Sequence, residues 1–163
     1  MEETIIKKLS DEYPSVSIAY DLSLKSSESL LKRLEAVEGR LQWVLTAGVT
    51  ITAGYSIALK GQSLNLHSKL FYGAAACFVL AIALGFVARG CGKFEMLNPT
   101  KLFNDYLHED EWEFKKDMIY WHGDMFKKNL RLVNLKGHLA NVVATLFFVE
   151  VALLSVWGMA AVP

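Results

Sequence analysis

Charge falls along this chain in blocks, and the gaps between the blocks constrain what it can fold into. Leu41 to Leu59 is 19 residues without an acidic or basic side chain, Leu70 to Ala88 is another 19, and Leu139 to Pro163 is 25 with Glu150 as its one such group. At about 1.5 Å of rise per helical residue, each stretch can cross a hydrocarbon core of about 30 Å. Outside them the chain is as charged as a soluble protein, since 17 Lys and Arg balance 17 Asp and Glu while 53% of the residues are apolar. The expected fold is an all-α membrane protein that assembles as an oligomer. It has N-terminal helices at 1–40, transmembrane helices at 41–59, 70–88 and 139–163, a short outer loop at 60–69 and a helical cytoplasmic insertion at 89–138.

This segregation argues against a soluble enzyme, a disordered tail and a secreted product. Two cysteines, Cys77 in the second stretch and Cys91 just past it, form no disulfide framework. The first 40 residues alternate acidic and basic and hold no apolar run of the length a cleavable signal needs. A net charge of zero gives no global pull toward nucleic acid or anionic lipid, so any such binding needs a local patch. Lys25, Lys32, Arg33 and Arg40 precede the first stretch, and only Lys60 and Lys69 separate the first two. Arg89, Lys93, Lys101, Lys127, Lys128, Arg131 and Lys136 then precede the third. The positive-inside rule puts both polar regions in the cytoplasm, with the N-terminus inside and the C-terminus outside.

Pro14 divides the N-terminal region into a short amphipathic piece, Glu2 to Tyr13, and a longer helix for which Ser26 or Ser27 can serve as cap. Along that helix Leu30, Leu34, Val37, Leu41, Val44 and Gly48 recur at steps of 4 and 3, one stripe running from the polar region into the first span. It suits packing on the chain's own cytoplasmic helices and, equally, neighbouring subunits side by side. In the second span Gly73, Cys77, Ala81 and Gly85 repeat every 4 residues, as Gly54 and Ala58 do in the first, allowing close backbone approach in lipid. The insertion opens with Arg89-Gly90-Cys91-Gly92, turns at Asn98-Pro99, and starts its main helix near the acidic run His108-Glu109-Asp110-Glu111. Phe114, Met118, Trp121, Met125 and Leu132 share a face there, and Gly137 is a place for a bend before the third span.

Candidate chemistry is sparse. No phosphate loop, nucleophile elbow, Cys-x-x-Cys or zincin pair is present, so no catalytic residue, metal ligand or cofactor is expected. Adjacent carboxylates at 109–111 point around a helix rather than to one point, which disfavours a cation site. Glu150 is more informative, because a charge at mid-membrane costs about 3 kcal/mol on insertion scales. It is either a protonated carboxyl bonded to a Thr or Ser of another helix, or one of a ring of carboxylates lining a cation path with Asn141, Thr145 and Ser155 on a second stripe of the same helix. Lys115, Lys116, Lys127, Lys128, Arg131 and Lys136, with Trp121 among them, make a basic and aromatic surface suited to a phosphate-bearing ligand. The same spacing also suits core aromatics and topology-setting charges.

A cytoplasmic helix entering the first span (Leu30-Leu31-Lys32-Arg33-Leu34-Glu35 through Arg40-Leu41-Gln42-Trp43), a tight outer hairpin and a helical cytoplasmic insertion resemble the small membrane effectors of bacterial antiphage defence. The two-span SLATT-type effectors share this outline. With a third span, the architecture is more similar to the membrane effector of the Hailong system. That resemblance implies a tetrameric ion channel controlled by single-stranded DNA oligomers from a partner nucleotidyltransferase. It carries no short motif, so no residue role transfers with it. The expectation is a homo-oligomeric, nucleotide-gated channel that depolarises the membrane; the alternative is a non-conducting anchor that recruits a cytoplasmic partner.

Overall fold

A computed structural model describes residues 15–58, 68–98, 100, 106 and 108–161. Among them are three long helices and no strand: α1 (Val16–Ala58), α2 (Ser68–Gly90) and α3 (Glu111–Ala161). The expected stretch Glu2 to Tyr13, most of the outer loop at 60–69 and most of the helix after Pro99 lie outside the described residues.

No proline interrupts α1 or α3; α1 runs on past Ser26 and Ser27, and α3 feeds directly into the third apolar stretch, as the sequence suggested. Ser26 and Ser27 do not cap α1. The helix is already ten residues long there, and the Ser27 hydroxyl bonds back to the Ser23 carbonyl at 3.1 Å. Gly137 likewise sits inside α3 without ending it. The start of α3 does follow from the acidic run: Asp110 Oδ1 accepts the backbone N–H groups of Trp112 and Glu113, both at 2.9 Å, as an N-cap carboxylate. Helix α2 ends as its glycines suggest, with Cys91 N–H donating to the Val87 carbonyl and Gly92 at φ 67°, a left-handed turn that a side chain would strain.

The chain forms two compact units, 1–34 with 93–133, and 35–92 with 134–163. In the first, Leu30, Leu34 and Val133 are buried together, with Phe94, Phe126 and Leu130 against them. The loop after α2 is tied down by one side chain: Asn129, itself buried, accepts from Glu95 N–H at 2.9 Å and donates to the Glu95 carbonyl at 2.8 Å. The inward face of α3 in this unit therefore passes through Met118, Asn129 and Val133. Of the expected face, Met118 is buried, Phe114, Met125 and Leu132 are half-buried, and Trp121 is exposed.

In the second unit Leu41, Ala81, Ala88, Ala140, Val143 and Phe147 form the main core, and Ala74, Leu154 and Trp157 form another. Ala74, Ala81 and Ala88, seven apart, are buried on α2, and the expected row of four-residue steps also turns inward: it shares Ala81, Gly85 is buried where an added Cβ would stand 2.8 Å from a Leu45 methyl, and Gly73 faces Leu153. At 3.6 residues per turn a four-residue step drifts about 40°, whereas a seven-residue step drifts about 20° the other way, so the longer row keeps closer to one line. The outside is apolar: Val79, Phe86 and Val87 of α2 and Phe148 and Val156 of α3 are exposed, Phe86 by 73% and Phe148 by 78%. So large an apolar surface is the mark of a lipid-facing or partner-facing protein. Among the described residues two helices are long and apolar enough to cross a membrane, α2 over Lys69–Gly90 and α3 within Glu111–Met159. The apolar half of α1, diluted by Gln42, Thr46, Thr50 and Thr52, is not one of them.

A Cβ built on Gly48 would overlap the Phe147 ring, while one on Gly54 would meet nothing within 4 Å. Gly54→Ala should therefore stabilise the detergent-solubilised protein, by up to about 1 kcal/mol of helix propensity. Gly48→Ala should instead destabilise it by about 1–3 kcal/mol, because overpacking outweighs propensity. Thermal unfolding of the two variants measures the contrast, and equal behaviour would contradict the α1–α3 packing.

Candidate functional site

In the apolar unit the polar side chains come in pairs. Thr46, Thr50 and Thr52 each donate a hydroxyl proton to the carbonyl four residues back, at 2.8 to 2.9 Å, so a helix can carry them through an apolar medium. Thr52 also meets Glu150 Oε1 across the α1–α3 contact. Glu150 is 1% exposed, and its Oε2 is buried without a hydrogen-bond partner. Beyond this pair, Tyr55 Oη lies 3.1 Å from Ser155 Oγ, and Ser155 donates to the Val151 carbonyl at 2.7 Å.

The four residues expected along a cation path thus separate. Glu150, nine residues and half a turn from Asn141, faces α1 inside the protomer. Asn141 and Thr145 are exposed on the outside of α3, with Thr145 Oγ1 donating to the Asn141 carbonyl. Ser155, 80° around the helix from Thr145, sits at the stripe's edge where the long Tyr55 side chain reaches it. The protomer surface therefore presents Asn141 and Thr145, and keeps Glu150 from it.

Lys136, expected at the ligand surface, is also turned inward. Its side chain is 7% exposed and its Nζ lies 2.6 Å from Glu38 Oε1. Placed three residues before the uncharged part of α3, this cation has a carboxylate from α1 as partner. Losing that partner would leave a buried charge.

In the polar unit the remaining expected ligand residues do not form one surface. Lys115 is held by Glu111 at 2.6 Å and Ser17 at 3.0 Å, and Lys116 lies over the Trp112 ring at 5.3 Å. Lys127 and Arg131 are exposed. Lys128 pairs with Glu95 at 3.1 Å beside a groove of about 430 Å³ lined by Tyr120, Trp121, Asp124 and Met125. Trp121 stands edge-on to Tyr106 there. With Glu95 and Asp124 against one lysine, this groove has aromatic walls but the wrong charge for phosphate.

A second groove of about 270 Å³ has the right charge. Lys25 and Arg33 lie at its ends, Ser26 and Ser29 between them, and Leu22, Leu30 and Phe126 line the rest. Among the described residues neither Lys25 nor Arg33 has an ion-pair partner. Two cations flanking two hydroxyls over an aromatic ring can hold a phosphate and stack a base. The sequence did carry the signal, as Lys25, Ser29 and Arg33 at steps of four. It was absorbed into the count of charges before the first span.

Four groups in the polar unit are shifted by their surroundings, among them Glu28 and Glu111, lowered by hydrogen bonds from Lys32 and Lys115. Burial lowers the pKa of His122, whose Nδ1 lies 3.1 Å from Ser27 Oγ, and so favours the neutral ring. Burial, reinforced by Asp117, Glu113 and Asp110, raises that of Glu109. No protein-family model, curated protein or solved structure matches this chain.

Because His122 is a base with a depressed folded-state pKa, its contribution to stability is complete above the unfolded value of about 6.5 and is lost as pH falls through the folded one. Acid unfolding of the solubilised protein should therefore begin at lower pH in His122→Asn, whose amide keeps a Ser27 partner without titrating. Superimposable pH profiles would contradict the assignment.

Proposed function

We propose that this chain is the subunit of a homo-oligomeric ion channel of a bacterial inner membrane, with a tetramer favoured. In this reading a phosphate-bearing ligand gates the channel, and opening depolarises the membrane to abort phage infection. All three apolar stretches span the bilayer, with the N-terminus in the cytoplasm and the C-terminus outside. The ligand is a nucleotide or a single-stranded DNA oligomer made by a partner nucleotidyltransferase. The observation that carries this reading is helical continuity. Helices α1 and α3 each supply residues, without a break, to the unit holding the basic groove and to the unit with the apolar exterior. A ligand that binds one arrangement of the groove better than another biases those helices by its difference in affinity. The groove of Lys25, Ser26, Ser29 and Arg33 supports a phosphate ligand better than the Lys115–Lys136 series, most of which is engaged within the protein. Asn141 and Thr145 on the exterior of α3 supply a polar strip for a path between subunits.

A second reading, a non-conducting anchor whose polar unit recruits a cytoplasmic partner, draws support from Glu150, since its carboxyl faces the protomer interior and away from any path between subunits.

Planar bilayers containing the purified protein separate the two. The channel reading expects a current that single-stranded DNA oligomers switch, and a response needing about tenfold or more ligand when Lys25 and Arg33 are both changed to Glu, as loss of charge-assisted hydrogen bonds implies. No current with or without oligomer would favour the anchor. An unaltered response in the double variant would move the ligand elsewhere.

A further inference from the structure

We infer that Glu150 is a proton-binding site, a neutral carboxylic acid whose O–H donates to Thr52 Oγ1 and so ties α3 to α1. Thr52 has one hydroxyl proton and two oxygens beside it, the Gly48 carbonyl at 2.9 Å and Glu150 Oε1. The carbonyl has no proton to give. If Thr52 donates to it, as Thr46 and Thr50 do to theirs, the Thr52 oxygen is left to accept, and the proton between it and Glu150 belongs to the carboxyl.

The other assignment, an ionised Glu150 taking the Thr52 proton, gives a carboxylate one donor where it needs several. Its second oxygen, Oε2, is buried with no partner. No Lys, Arg or His occurs in 41–59, 70–88 or 139–163 to balance the charge. Within 41–59 of α1 and 70–88 of α2 the titratable groups are Tyr55, Tyr72 and Cys77, of which Tyr72 is exposed. None is a cation. A protonated carboxyl needs one acceptor for its O–H, which Thr52 supplies, and leaves only a carbonyl oxygen unpaired.

The adjacent pair obeys the same proton count. Ser155 spends its hydroxyl proton on the Val151 carbonyl, so Tyr55 is the donor to Ser155 Oγ. In both contacts a hydroxyl bonded to its own backbone receives a proton from the opposite helix, Glu150 from α3 in one and Tyr55 from α1 in the other. The proton on Glu150 is therefore a ligand of this packing. An arrangement that opened α3 from α1 and let water reach the carboxyl would release it, and proton occupancy favours the closed arrangement by that difference. The inference is independent of the ligand and stoichiometry proposed above.

Infrared spectra of the protein in lipid nanodiscs at neutral pH test it. Wild type minus Glu150→Gln should contain the carbonyl stretch of a protonated carboxyl. Thr52→Val, an isostere without the acceptor, should shift that band to higher frequency, and this comparison with wild type stands alone if the Gln variant fails to assemble. A difference spectrum with carboxylate bands only, or a carbonyl band that ignores Thr52→Val, would overturn the assignment.

Discussion

An apolar surround supplies no hydrogen bonds, and the α1–α3 contact is arranged around that constraint. Each unsatisfied polar group in hydrocarbon costs several kcal/mol. The threonines of α1 bond their own helix, Tyr55 bonds Ser155, and Glu150 meets Thr52. Lys136 meets Glu38 at the edge of the uncharged part of α3. Against these directional contacts the apolar packing is close, with Gly48 flush against Phe147 and the alanines of α2 turned inward. The polar pairs specify which face of α3 meets α1, and the small residues let the backbones approach to make the pairs.

Much of this is legible in the sequence because it is periodic or punctuated. The stripe Leu30, Leu34, Leu41 and Gly48 is buried along α1, Asp110 caps α3, and Gly90 and Gly92 end α2. What escapes is whatever depends on a partner from another element. Asn129 reads as a break in an apolar face, yet it is the residue that fixes the loop at Glu95. Trp121 shares the expected apolar face and is exposed, edge-on to Tyr106 beside the acidic groove. Lys136 reads as ligand surface until Glu38, 98 residues away, is set beside it. Steps of four along α2 do find the close approach of Gly85 to Leu45, and miss Ala74 and Ala88, which lie seven residues either side of Ala81.

The two units divide the chemistry. One carries most of the charges, a basic groove between Lys25 and Arg33 and an acidic aromatic groove around Trp121. The other carries 8 of the 34 charged residues and exposes apolar side chains instead. Helices α1 and α3 each contribute residues to both units without a break. No family model, curated protein or solved structure stands behind the proposed channel, so it rests on the architectural resemblance drawn from the sequence, on that division of labour and on the polar strip of Asn141 and Thr145.

The central claim is that the exterior of the apolar unit is divided between a lipid face on α2 and a water-lined strip on α3. Thiol accessibility in the membrane measures it most directly, starting from protein in which Cys77 is replaced by Ala and Cys91 by Ser. A membrane-impermeant thiol reagent should reach Thr145→Cys and block the current, and should leave Val79→Cys on α2 unmodified. Modification at Val79→Cys, or a Thr145→Cys protein that neither reacts nor loses current, would contradict the account.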